Sequence, residues 1–465
     1  VRLANTIVFT GRKIDMRDWR TYQASLVRQR KRRLWLRRGA LLMVLATLAV
    51  AVTWSAMSFL TEEVSQIAVK ERESHHATPA VQKVTQTPGE AEASIPPTGQ
   101  LLTRDDLRAM FANQQWGNQV SPLQQIDLSG KKLMVATTVD PNLQQFLSDQ
   151  LMRKTSLHLA IVVMEPSTGK ILAMVSHNRP NPGQNACTEI LFPAASIFKI
   201  IAAASAVEAT GLSPHSRMGF EGSKHTLYKA QLRESLGKGA NYVTLEEAFA
   251  DSVNPVFGRL GAYRLGDKRL LAYAGAFGFN HKIDFELPTV ISHFEISENP
   301  YQWAELASGF NRTTTLSALH GALIAAAIYN GGTMLKPMLF DSISTHDGHV
   351  LYRGKQEVMH AAVGREAASA VARMMLATIR EGTGRKTFRG YQRDKVLSKL
   401  AIGGKTGSYG SNPRFDWFVG FGADQKAKRA IAVSVVVSHK DYIGTKSGRY
   451  ARMAIKRYFE EVDDS

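Results

Sequence analysis

Apolar residues fall into a few distinct patterns along this chain, and each pattern predicts a different element. The first is the run Gly39 to Leu60, 22 residues without a charge, preceded by a segment 1–38 that holds twelve Arg and Lys against two Asp. That length spans a bilayer, and the basic flank in front of it predicts a cytoplasmic N-terminus, with everything beyond residue 60 on the far side. An uncleaved anchor is the better reading than a secretory leader, whose apolar region is about 7 to 15 residues long. Thr61 to about Ser94 is charged and then rich in Thr, Pro and Ala, with no sustained apolar period, and reads as a tether. Within the remainder of the linker, 61–131, Thr103–Phe111 predicts a short amphipathic helix, with Thr103 as N-cap and Asp106 three residues on.

Beyond residue 132 the pattern changes to strands and buried helices. Leu157–Glu165 and Ile171–Ser176 read as strands joined by a turn at Ser167-Thr-Gly169. A long helical region follows, and Ala401–Thr406, Trp417–Gly422 and Ala430–Val437 alternate with turn signals such as Gly410-Ser-Asn-Pro413. First and last strands sharing one antiparallel sheet, with helices between and over them, is an α+β arrangement. Hydrophobic residues make up 44% of the chain, enough for a large core. That core must carry stability alone, since the single cysteine, Cys187, forbids an intramolecular disulfide and a cysteine-rich metal site. The histidines are scattered, His75 and His76 in the tether and His346 and His349 in a polar turn, so neither a metal nor a cofactor is expected.

The candidate chemistry lies in one apolar helix pattern, Ala194-Ala-Ser196-Ile-Phe-Lys199-Ile-Ile-Ala-Ala-Ala-Ser-Ala-Val207. An i, i+3 spacing puts Ser196 and Lys199 on one face, and the apolar residues around them predict burial on all sides. Burial disfavours the ammonium form, and a neutral amine beside a serine hydroxyl can take its proton, so a weak nucleophile becomes fit for acyl transfer. Serine and lysine share this spacing at Ser129, Ser167 and Ser235 as well, but each of those carries a glycine in the spacer and reads as a loop.

Two further elements follow in order, Ser252-Val-Asn254 and Lys405-Thr406-Gly407-Ser408. Ser-x-Asn recurs at Ser176 and Ser297, the first ahead of the nucleophile and the second in a polar turn, and Lys446-Ser-Gly448 is a near copy of the lysine element beyond the last strand. A phosphate-binding loop would need glycine at 399, which is lysine. The trio of S-x-x-K, S-x-N and K-T-G is the motif set of β-lactamases and penicillin-binding proteins. From about Lys132 to about Phe459 the chain resembles the transpeptidase domain of penicillin-binding proteins. The likeness extends to Val135–Gln144, Met164–Met174, Glu381-Gly-Thr-Gly-Arg385 and Asp416-Trp-Phe-Val-Gly420.

The resemblance implies an antiparallel sheet flanked by helices with an all-helical subdomain, in a domain 132–460 behind one transmembrane helix. It implies Ser196 as nucleophile, Lys199 as general base, and Ser252 with Lys405 on a proton path to the leaving amine. Asn254, Thr406, Gly407 and Ser408 would hold the substrate, and the N–H groups of Ser196 and Ser408 would form the oxyanion hole. The implied substrate is a peptidoglycan stem peptide ending in D-Ala-D-Ala, with penicillin and other β-lactams as covalent ligands. The implied compartment is the outer face of the cytoplasmic membrane. The linker is too short for a glycosyltransferase domain, so glycan strands would come from a separate polymerase, a partner in the membrane.

Two other classes stay open: a hydrolase, either D,D-carboxypeptidase or β-lactamase, and a non-enzymatic penicillin sensor or scaffold. Asn254 and the anchor speak against a class D lactamase, and intact motifs speak against a dead scaffold. Nucleic acid is not an expected partner. Of the formal net charge of +18, residues 1–38 hold +10, which belongs beside anionic lipid headgroups, and the rest forms no basic stripe interleaved with aromatics.

Overall fold

The computed structural model describes residues 101–463, apart from 113–115, 117–119, 129, 425, 427 and 441. Among the described residues no helix is long and apolar enough to cross a membrane; the stretch 39–60 lies outside them.

The segments that read as nearly continuous apolar runs become strands covered on both faces. Strand β1 (Ser156–Met164) pairs antiparallel with β2 (Ile171–Asn178). A long, mainly helical segment follows, containing α1 (Lys199–Thr210), α2 (Leu245–Ala250), α3 (Asn254–Leu260), α4 (Pro300–Ser308), α5 (Ala318–Tyr329) and α6 (Arg365–Arg380). The chain then returns as β3 (Ala401–Tyr409), β4 (Arg414–Asp424) and β5 (Arg429–His439), and ends in α7 (Ser447–Asp463). The sheet order is β3-β4-β5-β1-β2, all antiparallel, so the first and last strands do share one sheet.

Successive side chains of a strand point to opposite faces, and β1 divides accordingly. Ala160, Val162 and Met164 join a large core with α1 and α5, whereas Leu159, Ile161 and Val163 join a second core with α7. Helix α5, Ala-Leu-His-Gly-Ala-Leu-Ile-Ala-Ala-Ala-Ile-Tyr, is buried from Ala318 to Ile328, as expected for a helix apolar all round. It lies so close to the sheet that a Cβ at Gly321 would come within 2.4 Å of Ser434 Oγ.

Part of the segment read as linker belongs to this same folded body. The helix Arg104–Met110 is capped by Thr103 and Asp106 as the sequence predicts. Arg104 donates to the carbonyls of Asp284 (2.9 Å) and Pro337 (2.7 Å), and Leu107 and Phe111 are buried. Leu123–Leu128 pairs with Lys131–Thr137 in a small sheet completed by Phe340–Thr345 and Val350–Arg353.

Candidate active site

The nucleophile turn is held from both sides before the helix begins. Phe192–Pro193 pairs with Thr315–Leu316, Ala194 N donates to Thr314 O (2.9 Å), and Trp417 Nε1 of β4 donates to Pro193 O (2.9 Å). Ala195 then takes a left-handed conformation (φ 49°), and Ala195–Phe198 forms a 3₁₀ turn from which α1 continues at Lys199. Ser196 thus precedes the α-helix proper instead of lying within it. The i, i+3 reading survives because side chains three apart are eclipsed in a 3₁₀ turn, and Lys199 Nζ stands 2.9 Å from Ser196 Oγ.

The remaining partners of the amine define its protonation. Lys199 is fully buried. Its Nζ donates to Asn254 Oδ1 (2.8 Å) and to the Ser308 carbonyl at the end of α4. Asn254 cannot turn its amide round to offer a donor, because its Nδ2 already donates to His225 O (3.0 Å). Nζ also donates to Ser196 Oγ, so the three contacts match the three N–H groups of an ammonium; in the neutral amine two N–H groups still serve the two obligate acceptors and the lone pair is left for the Ser196 hydroxyl. Burial, and then the charge of Lys405, push the Lys199 amine well below the ordinary lysine range. Electrostatics favours the neutral form, and the geometry places that form where it can act as a base on Ser196.

Ser252 sits between α2 and α3, also with a left-handed backbone (φ 56°), and its hydroxyl donates to Ser196 Oγ (3.0 Å). The turn is fixed by Lys224, whose ammonium pairs with Asp251 (2.6 Å) and whose carbonyl accepts from Asn254 N (2.7 Å). Pro255 at the start of α3 supplies the fixed φ suited to a first helical turn. Non-glycine residues rarely sit at positive φ, and two of them flanking one pair of hydroxyls mark strain held for a purpose.

Lys405 is buried in β3, with its amine over the Phe249 ring (5.5 Å from the centroid) and donating to Thr406 O (3.0 Å). Burial pushes this amine down to about 7, against the pull of the Asp251 carboxylate. No hydrogen bond joins it to Ser252 in the free protein. β3 is the edge of the sheet, and a Cβ at Gly407 would lie 3.3 Å from Ile197 and 3.4 Å from Ala195, so the strand runs directly past the nucleophile turn.

Ser196, Ser252, Asn254, Thr406, Gly407 and Ser408 line one open cleft of ≈ 850 Å³, with Lys199 and Lys405 buried behind it. All eight residues anticipated from the motifs are thus brought together. Lys446, the near copy, is exposed on the rim of the same cleft. Ser176 and Ser297 are elsewhere: Ser176 accepts from Ala186 N and Ser297 holds Gln302.

Three contributors carry no motif that sequence reasoning used: the Ser308 carbonyl, Gly309 and the His225 carbonyl; a fourth, Thr383, lies in the Glu381–Arg385 segment that carried the resemblance but was given no role, and its hydroxyl meets that of Thr406 at 2.6 Å. Gly309 caps α4 at φ +68°, and a Cβ there would fall 1.9 Å from the Ala195 carbonyl oxygen. Gly309→Ala is therefore expected to displace the nucleophile turn. Since a 1 Å misplacement costs about 100-fold, the variant should lose about that factor or more in acylation while remaining folded, which stopped-flow acylation and thermal melting measure separately.

Comparison with known proteins gives a consistent picture. The sequence model for "Penicillin binding protein transpeptidase domain" matches residues 159–457. Peptidoglycan D,D-transpeptidase PbpA of Mycolicibacterium smegmatis is 29% identical over 343 residues, 65% of this chain and 67% of that protein. Among solved structures, the D,D-transpeptidase domain of a peptidoglycan glycosyltransferase from Eggerthella lenta superposes with a TM-score of 0.58 at 26% identity, covering 71% of this chain and 84% of the other. Penicillin-binding protein A from M. tuberculosis, as its imipenem acyl-enzyme complex, gives 0.57 at 25% identity over 70% and 79%.

Proposed function

This chain belongs to the penicillin-binding protein transpeptidase domain family, and from that premise we propose that it is a peptidoglycan D,D-transpeptidase working through an ester on Ser196. The observation that carries the reading is the buried amine of Lys199, 2.9 Å from Ser196 Oγ and held there by two carbonyl acceptors, Asn254 Oδ1 and Ser308 O. Relatives named as D,D-transpeptidases and an acyl-enzyme complex in a solved neighbour support it.

In this mechanism the stem peptide lies along the open edge of β3 as an added strand, its terminal carboxylate against Thr406 and Lys405 and its backbone amide against Asn254. Ser196 Oγ attacks the penultimate D-alanyl carbonyl as its proton passes to Lys199 Nζ. The N–H groups of Ser196 and Ser408 take the developing oxyanion, where one donor is typically worth about 3–4 kcal/mol. The C–N bond breaks, and D-alanine leaves with a proton delivered through Ser252, with Lys405 as the nearby reservoir. An amine of a second peptide then attacks the ester, gives its proton back along the same path, and restores the Ser196 hydroxyl. β-Lactams enter as acylating analogues of the donor.

An amine held near 7 suits this shuttling, because it exchanges protons readily at neutral pH. It also has a sign. Lys405 is cationic below about 7 and neutral above it, so second-order acylation by an anionic penicillin should fall as pH rises through that value. Lys405→Met should lower the rate and abolish this alkaline limb, which a pH series of stopped-flow acylation reads directly.

Product analysis on a D-Ala-D-Ala pentapeptide, with and without an amine acceptor, tests the function. A cross-linked product supports it, and release of the tetrapeptide alone at every acceptor concentration favours the carboxypeptidase reading. We further place the enzyme at the outer face of the cytoplasmic membrane, anchored by 39–60 behind the basic segment 1–38, and acting beside a separate glycan polymerase. Recovery of the enzyme in the salt-washed membrane fraction supports the anchor, and a soluble full-length chain contradicts it.

A further inference from the structure

Resting on the transpeptidase reading, we propose that a second, basic pocket beside the cleft is the acceptor subsite, and that it selects an acceptor peptide bearing free carboxylates near its amine. Residues 380–399 contain seven Arg and Lys against two acids. Folding gathers Arg380, Arg385, Lys386 and Arg389 with Tyr391 around a pocket of ≈ 340 Å³. Arg380 is partly satisfied by Glu246 (3.8 Å) and Asp394 is taken by Lys456 (2.8 Å), while Glu381 is exposed and pairs with none of the four. Arg385, Lys386 and Arg389 have no carboxylate partner among the described residues. Like charges held together without a counter-charge repel one another, and an anion relieves them.

The pocket is built on a firm base. Phe388 is fully buried against Phe418 (ring centroids 5.6 Å apart), and Arg452 ties down the loop by donating to the Thr387 (3.0 Å) and Arg389 (2.9 Å) carbonyls. Its position gives it a role. Lys386 lines both this pocket and the catalytic cleft, and Thr383, bonded to Thr406, lines the cleft three residues before it. The donor's terminal carboxylate is assigned to Thr406, so the leaving D-alanine departs on this side. The incoming amine must occupy the place it vacates, and the rest of the acceptor therefore extends past Thr383 and Lys386. A guanidinium fork binds carboxylates in a bidentate manner, so a diamino acid whose carboxyl is free fits this path and its carboxamide does not.

The test uses the full-length chain with a pentapeptide donor and two acceptor probes, a diamino diacid peptide and its diamide. Arg385→Gln/Arg389→Gln should raise the apparent KM for the diacid about tenfold, with kcat and the reaction of the diamide unchanged. Acylation by penicillin should persist, since neither arginine lines the catalytic cleft. Lys395→Gln removes one charge of the same segment outside the pocket and should change nothing. A wild-type enzyme indifferent to acceptor charge, or a double variant that keeps the preference, overturns the proposal. If an acyl-enzyme forms but no amine accepts it, the transpeptidase reading fails. Calorimetry on Ser196→Ala then judges the subsite alone: tighter binding of the diacid, lost in the arginine variants, upholds it as an anion site, and equal binding overturns it.

Discussion

Ser196→Ala is expected to yield no covalent adduct with a fluorescent penicillin and to lower turnover of a D-Ala-D-Ala donor by about 10⁴-fold or more. The substitution removes the one hydroxyl among the described residues that combines contact with the Lys199 amine (2.9 Å), contact with a second hydroxyl (3.0 Å) and a place on the cleft wall. Little else changes. Ser196 is half-buried in a turn held by backbone pairing and by Trp417, so the melting temperature should stay within a few degrees. Intact-mass spectrometry of wild type and variant after exposure to penicillin checks both halves of this statement. An adduct of undiminished stoichiometry in the variant would move the nucleophile to another residue.

Replacement of Lys199 is expected to have the second-largest effect. Lys199→Met keeps the length and the apolar stem but has no base, and acylation should fall by about 10³-fold or more, within the range attributed to a positioned general base acting with its nucleophile. Lys199→Arg separates basicity from charge. A guanidinium remains protonated at any pH the enzyme tolerates, so a catalyst that needed only a cation at this position would retain activity in Lys199→Arg, and one that needs a free electron pair would not. Both variants should be nearly inactive. They should differ in stability, because methionine fits the buried space whereas arginine must place an obligate charge where desolvation is severe and Lys405 adds repulsion. Thermal melts with stopped-flow acylation distinguish loss of chemistry from loss of fold.

The features legible in the sequence were those written in local patterns. Leu159–Met164 is apolar throughout and Ala430–Val437 at every position but Ser434, hence strands covered on both sides, and the sheet does carry a core on each face. The capping pair Thr103 and Asp106 and the serine–lysine spacing are likewise short-range, and both hold. Side-chain type alone separated Lys405 from Lys446 only by context. Burial in the structure completes that distinction, with one amine inside β3 and the other on the rim.

The rest escaped because it depends on backbone groups or on distant pairing. Ser308 and His225 orient Lys199 and Asn254 through their backbone carbonyls, a role that residue identity does not reveal. Gly309 matters through a Cβ it lacks, and the clash is with Ala195, more than a hundred positions away. The charge beyond residue 38 forms no stripe in the sequence, and it is the fold, through the loop tied by Arg452, that brings Arg385, Lys386 and Arg389 to one pocket with Arg380 at the end of α6. Ser196 itself lies in a 3₁₀ turn, a distinction that apolar periodicity does not resolve.

The central claim is that the amine at position 199 is uncharged when substrate arrives, and direct titration tests it. Lysine Nζ and Cε resonances of the isotope-labelled protein would be followed against pH by NMR, with Lys199→Met identifying the signal. The account predicts that the 199 amine titrates well below the ordinary lysine range, because burial and the Lys405 charge disfavour its ammonium form. Titration at the ordinary value near 10.5, with acylation still rapid at pH 7, would contradict it.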